Sequence, residues 1–388
     1  MIRATLTRAA LRAMRASKGR VPAKAVAAVA GDDRDANAAL YYVAIRYFAT
    51  DPGARTAAIQ SARRARLTAA EQLQPLVELE VVDKSQRVSA AMRTIDDLVD
   101  EATAGPMKGA DSDTTTDISR TLAYAQLVMQ GRMLQAYELW STFAETRAAL
   151  ACLRTNATLG SAGRFAGRWG SGATLAVVLP GRVESEAEAE ILSHTIVART
   201  SLASCECPKP GEARTDLAFL NLDRYLDLAR RRGHSGTVPI VTKGVAQRLV
   251  RKCPRSLRDR TAFELTEPPV PTGKATFIVV PIALWAMRNL DTPPSFYFAD
   301  FYLGPQAYQD ATYDAKQFLT TATDIRRSYL AHDVLFVHSA LRWWGQCDRL
   351  RAKGTLRSIL DLTGEDFAKR IDQRWGEEAS QRTQRVAT

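Results

Sequence analysis

Apolar residues recur every three or four positions over much of the chain, the period of an amphipathic helix. The best-defined run is Phe318, Ala322, Ile325, Tyr329, His332, Phe336, Ala340, Trp343, Cys347 and Leu350, which predicts one long helix stopped at Gly354. A final helix is predicted beyond it: Thr363 and Asp366 stand at capping-box spacing, and Phe367, Ile371 and Trp375 form a single apolar stripe. Nearer the start, Leu40, Tyr41, Val43, Ile45, Tyr47 and Phe48 lie in a helical stretch that ends at Asp51-Pro52-Gly53, because proline lacks the donor a helix needs. Residues 55–101 predict two more helices, broken near Pro75. A helical hairpin follows: Asp117 or Ser119 caps its first arm through Gln130, Gly131-Arg132 turns it, and residues 133–154 return. Residues 184–200 and 216–232 also read as helices, and the strand signal is confined to the short run 175–179.

Two segments interrupt this pattern. Residues 103–119 are small, polar and rich in Gly and Asp, and read as a linker. Residues 160–172, GSAGRFAGRWGSG, carry five glycines and are expected to form a loop, since each interior glycine costs a helix about 1 kcal/mol relative to alanine. At 388 residues the chain is long enough for two to three domains or one two-lobed body. The expectation is a mainly α, two-lobed helical architecture with few short strands and extended terminal arms. Its parts would be an N-terminal arm (1–31), a helical lobe (32–159), the Gly/Arg loop (160–172), a second helical lobe (173–360) and a C-terminal helix with its tail (361–388). The longest apolar runs, 276–284 and 175–179, fall well short of the roughly 18 residues of a membrane span. Five scattered cysteines give no disulfide framework and point to a reducing compartment.

Charge changes the picture, because it is segregated. Residues 1–31 hold seven basic side chains and no acid, residues 154–182 hold four arginines and no acid, and residues 230–260 hold eight Arg and two Lys against Asp259 alone. These stretches total +20 in a chain of net charge +11, so the remainder is acidic. Basic stretches placed in this way suit phosphate. The N-terminal one puts Arg8, Arg12 and Arg15 on one helical face and Ile2, Leu6, Ala10 and Met14 on the other. Two readings stand for it: a cleaved mitochondrial presequence, or a retained arm that touches nucleic acid or grips a neighbouring copy through Leu6, Arg8 and Leu11.

The cluster at 230–260 is the main candidate for binding RNA phosphates. It offers Arg230, Arg231, Arg232, Lys243, Arg248, Arg251, Lys252, Arg255 and Arg258, with Arg248, Arg251 and Lys252 spaced to share one helix face. In the glycine loop, Phe165 and Trp169 alternate with Arg164 and Arg168, so bases could stack while guanidiniums hold the backbone, which is sequence-tolerant binding of a single strand. The alternative for both is bland: a solvated cationic face, and a loop whose aromatics plug the core. Phe367, Ile371 and Trp375 likewise either pack on the chain's own core or dock on another copy.

Signatures of catalysis and of cofactors are missing. GSAGRFAG lacks the G-x-G-x-x-G order, and neither residues 105–114 nor Gly273-Lys274 has P-loop spacing. His194 with Cys205 and Cys207 lacks a fourth ligand at zinc-site spacing, and His332 on the apolar stripe reads as a satisfied core residue. No cofactor, metal or small-molecule substrate is therefore expected.

Residues 284–319 contain Trp285, the pair Pro293-Pro294, and a Thr/Ala/Asp-rich stretch from Thr312 to Phe318. In this they resemble the core of flexuous filamentous plant-virus coat proteins, which are similar in fold to phlebovirus and tenuivirus nucleocapsid proteins and to which amalgavirus coat proteins are related. The resemblance covers about a tenth of the chain. The aromatic insertion FYFADFY departs from it, and no RNA contact is transferred. What it implies is a non-catalytic nucleocapsid that binds single-stranded RNA in a basic cleft and self-assembles by its arms, in a virion or host cytoplasm. The alternative is a mitochondrial structural subunit or assembly factor.

Overall fold

The computed structural model of the chain describes residues 10, 12–13, 23–48, 51–67, 71–72, 75, 112–156, 172–179, 187–200, 214–220, 222–230, 238–243, 253–265, 268, 272, 277–297, 301, 303 and 322–387. The first helices whose bounds lie among the described residues are α1 (Ala23–Ala30), α2 (Arg34–Phe48) and α3 (Pro52–Ala65). Asp33 Oδ1 accepts from Ala36 N at 2.9 Å to start α2. The expected break at Asp51-Pro52-Gly53 is the start of α3, where Asp51 Oδ1 accepts from Ala54 N at 2.7 Å and Pro52 takes the first helical position.

The hairpin follows as α4 (Ser112–Gln130), α5 (Met133–Ser141) and α6 (Ala144–Asn156). Its first arm begins inside the segment read as a linker, and its return is broken at Thr142-Phe143. The turn itself stands where it was expected. Gly131 has φ +79, and a Cβ there would meet the Arg326 guanidinium at 2.7 Å. Arg326 Nη1 donates to Met129 O at 3.1 Å, closing the end of α4, and its guanidinium lies 5.0 Å over the Trp375 ring. Gly131→Ala therefore combines left-handed strain with displacement of a held arginine. It should cost about 2 kcal/mol, read as a lower urea midpoint at unchanged m-value.

The remainder alternates: β1 (Leu175–Val178), α7 (Glu188–Leu192), β2 (Ile196–Arg199), β3 (Leu217–Leu220), α8 (Leu222–Arg230), β4 (Ile240–Lys243), α9 (Arg255–Arg260), β5 (Thr261–Leu265), α10 (Val279–Asn289), β6 (Ser295–Tyr297), α11 (Ala322–His332), α12 (Val334–Gln346), β7 (Arg351–Ala352), α13 (Thr355–Leu360) and α14 (Gly364–Ala387). Among the described residues the strands form one sheet in the order β5-β4-β3-β2-β1-β6-β7, and every pairing is parallel. This overturns the mainly helical, nucleocapsid-like expectation: the protein is a mixed α/β fold. Residues 184–200 hold α7 and then β2, and residues 216–232 hold β3 and then α8. The Pro293-Pro294 turn of the coat-protein resemblance leads into β6, a strand paired with β1, rather than into a helix.

Strand alternation decides how the layers pack. Leu175, Val177, Ile196, Ala198, Leu217, Phe219, Val241 and Phe296 share one core with α10 and α12, where Phe219 meets Trp285 edge-to-face at 5.3 Å. The opposite face presents Ala176, Val178, Val197 and Tyr297 to Ile191 of α7. On that same face Ala218, Leu220 and Ile240 meet Tyr225 and Leu228 of α8 and Leu257 of α9. The chain thus steps from β1 to β5 with its helices on one face, then returns to β6 with α10 on the other. A constant crossover hand requires that change of face when the stepping direction reverses.

The long helix read from Phe318 to Leu350 is two helices. Asp333 takes a left-handed conformation (φ 44) between α11 and α12, and its carboxylate caps the second by accepting from Phe336 N at 3.1 Å. Position 318 itself lies outside the described residues. At the last helix the capping box forms as expected, with Asp366 N donating to Thr363 Oγ1 at 3.1 Å. Its stripe is buried within the chain: Phe367 and Ile371 are fully buried, and Trp375 packs on Tyr329 with ring centroids 5.5 Å apart. Of the two readings of that stripe, the structure shows the core one, and these residues are not offered to another copy. From the same helix, Asp372 reaches α5, accepting from Met133 N at 2.6 Å and Leu134 N at 3.0 Å.

Candidate phosphate-binding surface

α8 and α9 are neighbours over β3, β4 and β5, joined through Tyr225, Leu228, Cys253 and Leu257. Tyr225 ties α8 to the start of β5 by a 3.2 Å bond between its hydroxyl and Thr261 Oγ1. Burial of these inner side chains turns Arg230, Arg255 and Arg258 outward, and all three are exposed. Asp259, the one acid of the stretch, lies 3.6 Å from the 86% exposed Arg255, an ion pair that solvent screens heavily. Arg260 points inward instead, and its guanidinium donates to Val238 O at 3.0 Å from Nη2. It is a brace for β4, not part of the cationic surface.

Other predicted contacts divide clearly. Arg231, Arg232, Arg248, Arg251 and Lys252, together with Arg164, Phe165, Arg168, Trp169, Leu6, Arg8 and Leu11, lie outside the described residues. Lys243 is the last residue of β4, and its side chain also lies outside them. Arg154, the described arginine of the 154–182 stretch, stands with its guanidinium 5.6 Å over the ring of Trp343 on α12. Because α12 packs on the face opposite to α8 and α9, the sheet separates Arg154 from Arg230, Arg255 and Arg258. The described cations of the two stretches are not brought together.

Sequence reasoning missed the point where strand order reverses, between β1 and β6, which is where open parallel sheets form ligand crevices. It is flanked by acid. The first turn of α7, the helix after β1, carries Glu188 and Glu190. Arg199 Nη2 holds Glu188 at 2.9 Å and Lys353 Nζ holds Glu190 at 2.7 Å. The hydrogen bond from Lys353 keeps the Glu190 carboxyl below its ordinary pKa, while burial and then Glu190 raise the Tyr297 phenol. His194 closes the group, with its ring 6.0 Å from Tyr297 and Nδ1 3.0 Å from Glu190 O. In dinucleotide-binding sheets this helix start takes the pyrophosphate. Here Glu188 and Glu190 occupy it, each paired with a cation, Arg199 and Lys353.

Among the described residues no group of three or more His, Cys, Asp or Glu could hold a metal ion, and no helix is long and apolar enough to cross a membrane. Half-buried His332 packs its ring 4.7 Å from Phe277. Compared with protein-family models, with curated proteins and with solved structures, the chain matches none of them.

Proposed function

We propose that the chain binds RNA through its phosphates on the outer surface of the α8–α9 layer. The observation that carries this reading is the exposure of Arg230, Arg255 and Arg258 on one helical layer. Guanidinium groups offer paired donors in a fixed plane, which suits phosphate oxygens and is indifferent to base sequence. A cleft lined by both cationic stretches is not carried forward, since the sheet stands between their described members, and neither is assembly through the buried C-terminal stripe.

Affinity on such a surface comes mostly from counterion release. If about six phosphates are neutralised, log K for a labelled single-stranded RNA should fall with log salt at a slope of roughly −4. Removing three of these contacts in an Arg230→Ala, Arg255→Ala, Arg258→Ala variant should make the slope shallower by about 2. Uridine and adenosine homopolymers should bind within a few-fold of each other. Fluorescence anisotropy across a salt series reads all three quantities, and a slope near zero, or a triple variant that matches the parent, removes RNA from this surface.

A further inference from the structure

Asp333 is fully buried at the joint between α11 and α12, and three separate parts of the chain supply its donors. Oδ1 accepts from Phe336 N at 3.1 Å and from Trp140 Nε1 of α5 at 3.1 Å. Oδ2 accepts from Thr272 N at 3.1 Å and from Thr272 Oγ1. The titratable group that faces it is the buried phenol of Tyr124 on α4, itself raised by burial and by Asp333. His332, next in the chain, turns its ring to Phe277. The residue also holds a left-handed backbone conformation that a non-glycine residue adopts at a cost, and such strain persists where surrounding contacts over-determine it.

We propose that Asp333 is a proton-operated latch that holds α5 against the α11–α12 joint when protonated and loosens it when ionised. Both forms can be written with balanced hydrogen bonds. Protonated, Oδ2 donates to Thr272 Oγ1, which accepts as readily as it donates, while Oδ1 keeps Phe336 N and the Trp140 indole. Ionised, the carboxylate takes all four donors but carries a full charge at zero exposure, which water relieves only if α5 moves away. Burial lifts this carboxyl to about 7 against the four donors, so the change of state falls near neutrality. α5 is the element that responds, because Trp140 ties its middle to Asp333, while its other polar ties among the described residues lie at its two ends, Asp372 at the first turn and Arg147 Nη1 donating to Ser141 O at 3.3 Å.

Hydrogen exchange of the full chain between about pH 5.5 and 8.5, corrected for the intrinsic rate, tests the latch. Peptides covering Met133–Ser141 should lose protection at least tenfold above about pH 7, while those covering Val279–Asn289 stay constant. In Asp333→Asn the dependence on pH in α5 should vanish. The parent protein decides the matter even if that variant folds poorly. Protection of α5 that is flat with pH overturns the proposal, and so does an equal loss in both helices, which would be global destabilisation rather than release of a latch.

Discussion

Phe367→Ala should lower stability by about 4 kcal/mol, with a unimolecular transition whose midpoint does not move with protein concentration. Phe367 is fully buried, with its ring stacked on His338 at 4.1 Å and edge-to-face with Phe301 at 5.7 Å. Truncation removes both ring contacts and leaves a cavity between α12 and α14, two elements too heavily packed to collapse into it. Phe367→Leu keeps most of the volume and should cost less than half as much. Urea denaturation over a hundredfold range of concentration reads both claims. A loss under 1 kcal/mol, or a midpoint that rises with concentration, would return this stripe to a subunit contact.

The second large effect is a pair of opposed pH dependences on α12. Burial depresses the His338 imidazole to about 4, although its Nε2 lies 3.1 Å from Ile359 O. Its folded pKa is below the unfolded value, so its contribution is complete above about pH 6.5 and is lost as pH falls toward 4. Asp333 runs the other way. Its folded pKa of about 7 exceeds the unfolded value, so its contribution is complete below about pH 4 and is lost as pH rises to 7. The shifts are worth on the order of 4 kcal/mol for Asp333 and about 3 kcal/mol for His338, so in the parent protein the two largely offset each other across the same window. The variants should separate them: Asp333→Asn gains stability from pH 4 to 6.5, and His338→Gln loses it from pH 4 to 7. Slopes of the same sign in the two variants would defeat the assignment.

Much of the helical part is legible in sequence because caps and breakers act locally. Asp51-Pro52, Gly131 and Thr363 each mark a helix end through a bond or a torsion that depends on a few neighbouring residues. The sheet is different. Ile196–Arg199 and Leu217–Leu220 are four-residue strands, three or four of whose residues are buried, so they lack the in-out alternation that separates strand from helix. Each also abuts a true helix, which lends its period to the whole segment. Asp333 was hidden for a related reason: the apolar spacing continues across it, and only a distant donor set reveals the break. Of the candidate site, residue identity showed the cations but not the side of the sheet each occupies, which topology alone decides.

One contact bears on how the molecule is made. The first turn of α5 is capped by Asp372, 239 residues further along the chain. At about 5–20 residues per second, a ribosome needs roughly ten to fifty seconds to supply that carboxylate after Met133 has been joined. Throughout that interval the helix start has two bare amides and an unclosed flank, so this part of the chain can complete its packing only after α14 has been made. Any nascent product that stops short of α14 would leave that part exposed to chaperones and proteases.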